Sequence, residues 1–293
     1  MLKIFSWILR KSPLKSGLTR LAGMTWVRKA ISSKESETVT TLRNGTPIRV
    51  SLRDFNGRLI YLFGSVDPKI IDICSCLSMP NDIFLDIGAN HGVVGFLCHP
   101  YLENSGEVHF FEPQSDLCER IEEVISSQHM GNVFLHRYGL MDRDATLTFS
   151  SPSGHSGRGS FANKSSELEI QTILPVRNVA TVLPAIIGDR EFAAKLDIEG
   201  GEIHVLPWLI SQKRLRYVLF ESTDLLDRDS IYNTLINSDF ILFGVLRSLF
   251  RTKVQRIHTA VQFRSFNDIL AVRLRSKQIP INVLSVKRLR RYL

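Results

Sequence analysis

Residues 84–92 read FLDIGANHG, a short apolar run that stops on an acid, Asp86, and then turns on two glycines, Gly88 and Gly92, four positions apart. A buried strand that ends on a carboxylate and a glycine turn is what an open parallel sheet presents to a ligand bound outside the carboxyl ends of its strands. The surrounding sequence supports such a sheet. DIFLDIG, EVHFFEP, NVFLHRYGL, AAKLDIE and LRYVLFE read as strands, and amphipathic stretches such as QSDLCERIEEVISSQ, GEIHVLPWLI and STDLLDRDSIYNTLINS read as the helices between them. Apolar strands alternating with helices predict a mostly parallel α/β sheet with helices on both faces. Upstream, residues 38–63 alternate apolar and polar around Asn44-Gly45 and Asn56-Gly57, which predicts a small β-meander. Asp67-Pro68 then predicts a capped helix start. DFILFGV and DILAVRL read as two closing strands.

Length and composition bound the rest. The chain has 293 residues, 44% hydrophobic and 23% charged, an ordinary globular composition. No run of 18 apolar residues occurs, so no membrane span is expected. Four cysteines, two of them one residue apart in IDICSCL, match neither zinc spacing nor a disulfide framework, and predict reduced thiols in a cytoplasmic setting. The net charge of +8 sits at the ends. Residues 1–30 and 273–293 each carry seven Lys/Arg and no acid, so these fourteen cations leave a net −6 for residues 31–272. An acidic middle argues against a nucleic-acid groove through the core, and no nucleic-acid partner is expected. The expected organisation is a basic amphipathic extension over residues 1–35, one domain over 36–275 and a basic tail over 276–293. In MLKIFSWILRK, Met1, Ile4, Phe5, Ile8 and Leu9 share one helical face. Two readings fit: a helix lying on an anionic membrane leaflet, which would place the protein peripherally at an inner membrane face, or a helix packed on its own domain or on a sister subunit.

The glycine turn then narrows the ligand. A dinucleotide site wants G-x-G-x-x-G, with backbone amides and a helix N-terminus meeting a pyrophosphate. Here the pattern is D-x-G-x-x-x-G, with Ala89 where the second close-packed glycine would fall and an acid beside the turn. Asp86 is awkward next to a diphosphate and suits S-adenosylmethionine, which carries a sulfonium and an ammonium and no phosphate. The next strand ends FFEP, and Glu112, 26 residues after Asp86 and followed by Pro113, stands where an acid accepts hydrogen bonds from ribose hydroxyls. The fourth strand ends KLDIEGGE, clustering Asp197, Glu199 and Glu202, with Glu202 in the first turn of a helix.

LDIGANHG, FFEP, GLMDRDATLTF, GRGSF and AAKLDIEGGEIHVL, in this order and spacing over about residues 80–225, resemble the FkbM-type S-adenosylmethionine-dependent methyltransferases. The resemblance implies the Rossmann-like seven-stranded methyltransferase fold and transfer to an oxygen acceptor, a small-molecule or glycan hydroxyl. It implies that Asp86, Gly88, Asn90, Gly92 and Glu112 line the cofactor, with Ala89 and Pro113 beside them, and that Asp197, Glu199 and Glu202 form the acidic block.

Methyl transfer from a sulfonium is an in-line displacement, so the protein must align the partners and take a proton from a weakly acidic hydroxyl. Asp197 or Glu199 is the expected base, then Glu221 at the end of LRYVLFE, then His91 and His155. His91, His155, Ser160 and Glu202 are placed on the acceptor side. Clustered carboxylates could also hold Mg²⁺, which spacing alone does not show. Two other functions compete. One is a NAD-dependent oxidoreductase on a similar sheet, weakened by the missing G-x-G-x-x-G and the lack of a Tyr-x-x-x-Lys pair. The other is a scaffold that kept the fold and lost the chemistry.

Overall fold

A computed structural model describes residues 2–13, 15, 17–25, 27, 37–103, 105–152, 169–198, 200–222, 228–246, 248–273 and 282–292. Helices α1 (Leu2–Lys11) and α2 (Leu18–Gly23) precede a hairpin of β1 (Glu37–Thr41) and β2 (Pro47–Ser51), paired antiparallel with Thr38 opposite Val50. Helices α3 (Phe55–Phe63) and α4 (Pro68–Leu77) follow. The hairpin is the first half of the expected meander; the second half is helical. Asp54 caps α3 by accepting the Gly57 N–H at 2.8 Å, and Gly64, at φ +62°, closes it by donating to Ile60 O. Gly57, read as a turn glycine, lies inside the helix, where a Cβ would stand 1.9 Å from the Ser51 carbonyl oxygen. The glycine serves close packing on β2. Asp67 caps α4 with Pro68 in its first turn, as expected.

The α/β body begins with β3 (Ile83–Ile87) and α5 (Val93–Cys98), then β4 (Glu107–Phe111), α6 (Ser115–Ser127) and β5 (Val133–His136). Strands β6 (Gly139–Met141), β7 (Ala145–Pro152) and β8 (Glu169–Asn178) form a separate three-stranded sheet. After α7 (Val179–Ile187) come β9 (Phe192–Leu196), α8 (Glu202–Ser211), β10 (Leu215–Glu221) and α9 (Arg228–Asn237). The chain ends with β11 (Ile241–Leu246), β12 (Lys253–Arg256), α10 (Ala260–Arg264), β13 (Asp268–Val272), β14 (Val283–Ser285) and α11 (Val286–Leu289).

The main sheet has nine strands in the order β14-β12-β11-β13-β10-β9-β3-β4-β5. From β10 to β5 all neighbours are parallel, while β13 runs antiparallel to both β10 and β11. The seven strands β5-β4-β3-β9-β10-β13-β11 are the expected methyltransferase sheet, with helices on both faces. Strands β3 and β9 are buried along their whole lengths, which explains why neither alternates in sequence. The chain reverses its direction of progress between β3 and β9, so the topological switch point lies there.

The two extra strands correct the expected C-terminal boundary. Residues 282–292, assigned to a tail, belong to the domain: β14 pairs with β12, Leu284 opposite Val254, and Leu284, Val286 and Leu289 are buried. The basic residues between them point outward, and their charge concealed an inward apolar spacing. Helix α1 packs on its own domain. Its Ser6 Oγ donates to Tyr61 O (2.7 Å), Arg10 donates to the same carbonyl (2.7 Å), and Phe5 and Leu9 lie against the core. No helix among the described residues is long and apolar enough to cross a membrane, and all four cysteines are unpaired thiols.

Candidate active site

The carboxyl ends of β3, β4, β9 and β10 open into a cavity of about 320 Å³, walled by the β3 glycine turn, the first turns of α3 and α4, and Gly139, Leu140 and Phe149 of the small sheet. Three backbone features build the turn. Gly88 has φ +74°, and a Cβ there would lie 1.9 Å from the Asp197 carbonyl oxygen, so only glycine lets β3 and β9 end this close together. Asn90 (φ +53°) and Gly92 (φ +70°) are also left-handed, a conformation open to glycine and tolerated by asparagine. Both Gly88 and Ala89 donate their N–H groups to Phe111 O, tying the turn to the end of β4.

Glu112 is buried at the cavity wall. Its Oε2 accepts the Asn90 N–H at 2.8 Å and its Oε1 the Gln114 N–H at 3.0 Å. Burial pushes its carboxyl up to about 7, with those two amides pulling the other way. Pro113 follows it in the lining, as do Ala89 and Asn90.

Asp86 is placed differently from the expectation: it is fully buried and does not line the cavity. Its Oδ2 accepts the Gly95 N–H at 3.0 Å, and its Oδ1 lies 3.4 Å from Lys195 Nζ. The strand-end carboxylate points beneath the turn, where an amide and an ammonium compensate it. Its direct attraction for a sulfonium is therefore offset by Lys195, and its role is to support the turn. Lys195 itself lines the cavity, donates to Gly88 O at 2.6 Å and lies 3.5 Å from Asp197 Oδ2. Burial alone would lower its pKa, but the Asp197 and Asp86 carboxylates outweigh that and hold the ammonium above its ordinary value.

Asp197 lies in the cavity lining with a side chain 44% exposed, and Glu221 lines the same end. Asp268 of β13 is the register partner of Glu221. Burial and then the neighbouring Asp67 push Asp268 up to about 7; Lys69 opposes this, while Glu221 and Asp197 add to it. Glu202 faces away from the cavity. Buried at the start of α8, it accepts the N–H groups of Ile198 (2.7 Å) and Gly200 (2.9 Å), fixing the loop after β9. His91 lines the cavity and is buried, with Nε2 3.2 Å from Asp54 Oδ2, which links the glycine turn to the α3 cap. Glu199, His155 and Ser160 lie outside the described residues. Among the described residues no group of three or more His, Cys, Asp or Glu side chains is arranged to hold a metal ion.

Lys195, Asp67 and Asp268 were not expected at the site; residues 38–63 were expected to shape the pocket, and Phe55, Asn56 and Leu59 of that stretch do line it, but from a helix rather than a meander. A signal existed for Lys195. A lysine inside the buried strand AAKLDIE requires a buried anion, and register against β3 makes Asp86 that anion.

Residues 86–265, more than half of the chain, match the Methyltransferase FkbM domain, and the protein belongs to that family. The FkbM methyltransferase of Methylobacillus flagellatus KT is a similar solved structure, at 17% identity and a TM-score of 0.40 over 66% of this chain and 43% of that one. A second is the SAM-dependent O-methyltransferase of Thermotoga maritima, at 11% identity and a TM-score of 0.42 over 86% and 83% of the two chains. No curated protein matches.

The site's donor set fits S-adenosylmethionine. The Glu112 carboxylate at the cavity wall is an acceptor of the kind a ribose diol requires, and apolar side chains of Val93, Val94 and Leu140 line the same cavity. Two of the amides around the turn are already engaged: Asn90 N–H by Glu112 and Gly95 N–H by Asp86.

Proposed function

We propose that this protein is an S-adenosylmethionine-dependent O-methyltransferase acting on a hydroxyl of a saccharide or another hydroxylated metabolite. The observation that carries the reading is the placement of Asp197 and Glu221 in the cavity lining at the ends of β9 and β10, next to the glycine turn. Carboxylates at that position can take the proton of an acceptor hydroxyl.

The residues divide the work. Glu112 holds the ribose, and the turn from Gly88 to Gly92 fixes its position. Bound S-adenosylmethionine would supply an electrophilic methyl group. Asp197 or Glu221 is placed to accept the proton of the acceptor hydroxyl, and the α3 face carrying Phe55 and Leu59 excludes water. Alignment of this kind lowers a barrier by roughly 7–11 kcal/mol, and a positioned base adds a factor on the order of 10²–10⁴. The unpaired thiols support a cytoplasmic setting.

A thermal-shift titration with S-adenosylmethionine, S-adenosylhomocysteine and NAD tests the cofactor. Ligand at a hundred times its Kd stabilises by about 2.7 kcal/mol. Stabilisation by both sulfur ligands that Glu112→Ala abolishes supports the reading, and stabilisation by NAD alone overturns it. Turnover with hydroxylated acceptors then tests the oxygen; a product methylated on nitrogen or carbon would reject it.

A further inference from the structure

The two basic ends of the chain, separated by more than 240 residues in sequence, meet in the fold around Asp72 of α4. Lys15 follows α1, and its Nζ pairs with Asp72 Oδ1 at 2.8 Å. Thr252, just before β12, donates its hydroxyl to the other Asp72 oxygen at 2.6 Å. The Thr252 carbonyl accepts the Val286 N–H at 3.3 Å, and the Leu249 carbonyl accepts the Lys15 N–H at 2.6 Å. Three segments are thereby joined: residues 2–25, 248–256 and 282–292. They carry five, three and four Lys/Arg respectively and no Asp or Glu. The acid they share, Asp72, is engaged by Lys15 and Thr252 rather than neutralising the outward cations.

Two of these segments leave large apolar side chains in water. Trp7 and Ile8 on α1, and Leu249 and Phe250 at the tip of the β11–β12 connection, are each more than half exposed. The opposite side of α1, with Phe5, Ser6, Leu9 and Arg10, is already used against the domain. The Lys11 ammonium sits 3.9 Å from the centre of the Trp7 ring. An indole flanked by a snorkelling lysine, on a helix with cations and aliphatic side chains, is the pattern of an interfacial anchor.

We propose that this face docks on a lipid bilayer with anionic headgroups, inserting Trp7, Ile8, Leu249 and Phe250 below the headgroups while the surrounding Lys and Arg pair with phosphates. A bilayer is favoured over a nucleic acid because Ile8 and Leu249 have no use on a phosphodiester strand and a direct use in an acyl layer. The face also has a defined orientation. Strand β11 runs parallel to β10, since both are antiparallel to β13, so residues 248–251 lie at the carboxyl end of the sheet, the same end as the cavity. Docked this way, the cavity end looks toward the membrane, which suits an acceptor hydroxyl carried on a lipid; a lipid-borne acceptor rests on the methyl-transfer reading, whereas the docking does not.

The test uses the full chain and phosphatidylcholine vesicles, with and without phosphatidylglycerol, in flotation without cofactor or acceptor. Flotation is expected only with phosphatidylglycerol and should weaken as salt rises. Leu249→Ser/Phe250→Ser should reduce the partition coefficient by a factor on the order of 100 while leaving the melting temperature unchanged. Brominated lipids should quench tryptophan emission of the wild type, and Trp7→Phe should remove that quenching. The proposal is overturned if the protein stays with the soluble fraction at low salt, or if the double variant floats as well as the wild type with no quenching of Trp7. It is equally overturned if single-stranded RNA binds this face and vesicles do not. Because cofactor binding is measured separately, failure here leaves the methyl-transfer reading standing, and the reverse.

Discussion

Lys195 and Asp86 are register partners across the β9–β3 ladder, and the Lys195 ammonium stands 3.4 Å from the Asp86 carboxylate at the base of the candidate cofactor site. Asp86 is inaccessible to water and Lys195 nearly so. Removing one member strands the other as a buried charge, which costs about 3–5 kcal/mol. Lys195→Met should therefore lower the melting temperature sharply, and the double change Lys195→Met/Asp86→Asn should recover part of the loss. Chemical denaturation of these two variants and of Asp86→Asn reads this out. Additive losses would mean that the pair is not coupled.

Gly88 sets how closely β3 and β9 can end. Its φ of +74° alone makes a side chain costly, by roughly 1–3 kcal/mol, and the 1.9 Å approach to the Asp197 carbonyl forces a backbone shift as well. Gly88→Ala should destabilise the protein and abolish stabilisation by S-adenosylhomocysteine. Gly131→Ala, where a Cβ meets nothing within 4 Å, is the matched control and should do neither.

The raised pKa of Glu112 gives cofactor binding a pH dependence. Its ordinary value is 4.5 and its folded value about 7. The carboxyl thus favours folding below about 4.5, and that contribution is lost as pH rises through about 7. A ribose diol donates to the ionised form, so affinity should run the other way: steady above about pH 8 and roughly tenfold weaker near pH 6. Calorimetric titration with S-adenosylhomocysteine measures the profile. Glu112→Gln should bind weakly at every pH with a flat profile; a sloping one would assign the titration to another group.

Much of this architecture is legible in the sequence, and the misses share a cause. The strands β3, β4, β9 and β10 announce themselves because a parallel sheet buried on both faces needs continuous apolar runs. Glu112 and Asp197 are legible because they end such runs. FNGRLIYLF misleads because Asn56-Gly57 is a turn signal by composition, whereas Asp54 and Gly64, which cap the helix, act from outside it. The basic C-terminus misleads because charge counting weighs Lys287, Arg288 and Arg290 and overlooks Leu284, Val286 and Leu289 beside them. The inward aim of Asp86 depends on register against Lys195, and register is a tertiary property.

That C-terminal strand should be needed for stability. Leu289 is fully buried beside α4, and Leu-to-Ala changes in such sites cost about 2–5 kcal/mol. Leu289→Ala should lower stability by that amount. Deletion of residues 282–293 should do more, because it also uncovers the β12 edge. A truncated chain that melts like the full one would restore the reading of these residues as a tail.

Asp268 offers the sharpest separation of stability from chemistry. Burial and the nearby Asp67 raise its carboxyl from 3.8 to about 7, with Glu221 and Asp197 adding to the push. The folded state holds this proton more tightly than the unfolded chain, so the group favours folding below about 3.8, and that contribution is lost as pH rises through about 7. Asp268→Asn removes the charge. It should be more stable than the wild type near pH 8, with the advantage gone near pH 5, as thermal melts at the two pH values would report. If Glu221 and Asp268 share the acceptor's proton, the same variant should lose kcat while retaining cofactor affinity. If Asp197 alone is the base, Asp268→Asn keeps its kcat and Asp197→Asn loses it. A variant that is stabilised at pH 8 and unchanged in rate would make Asp268 an electrostatic burden on the fold with no part in proton transfer.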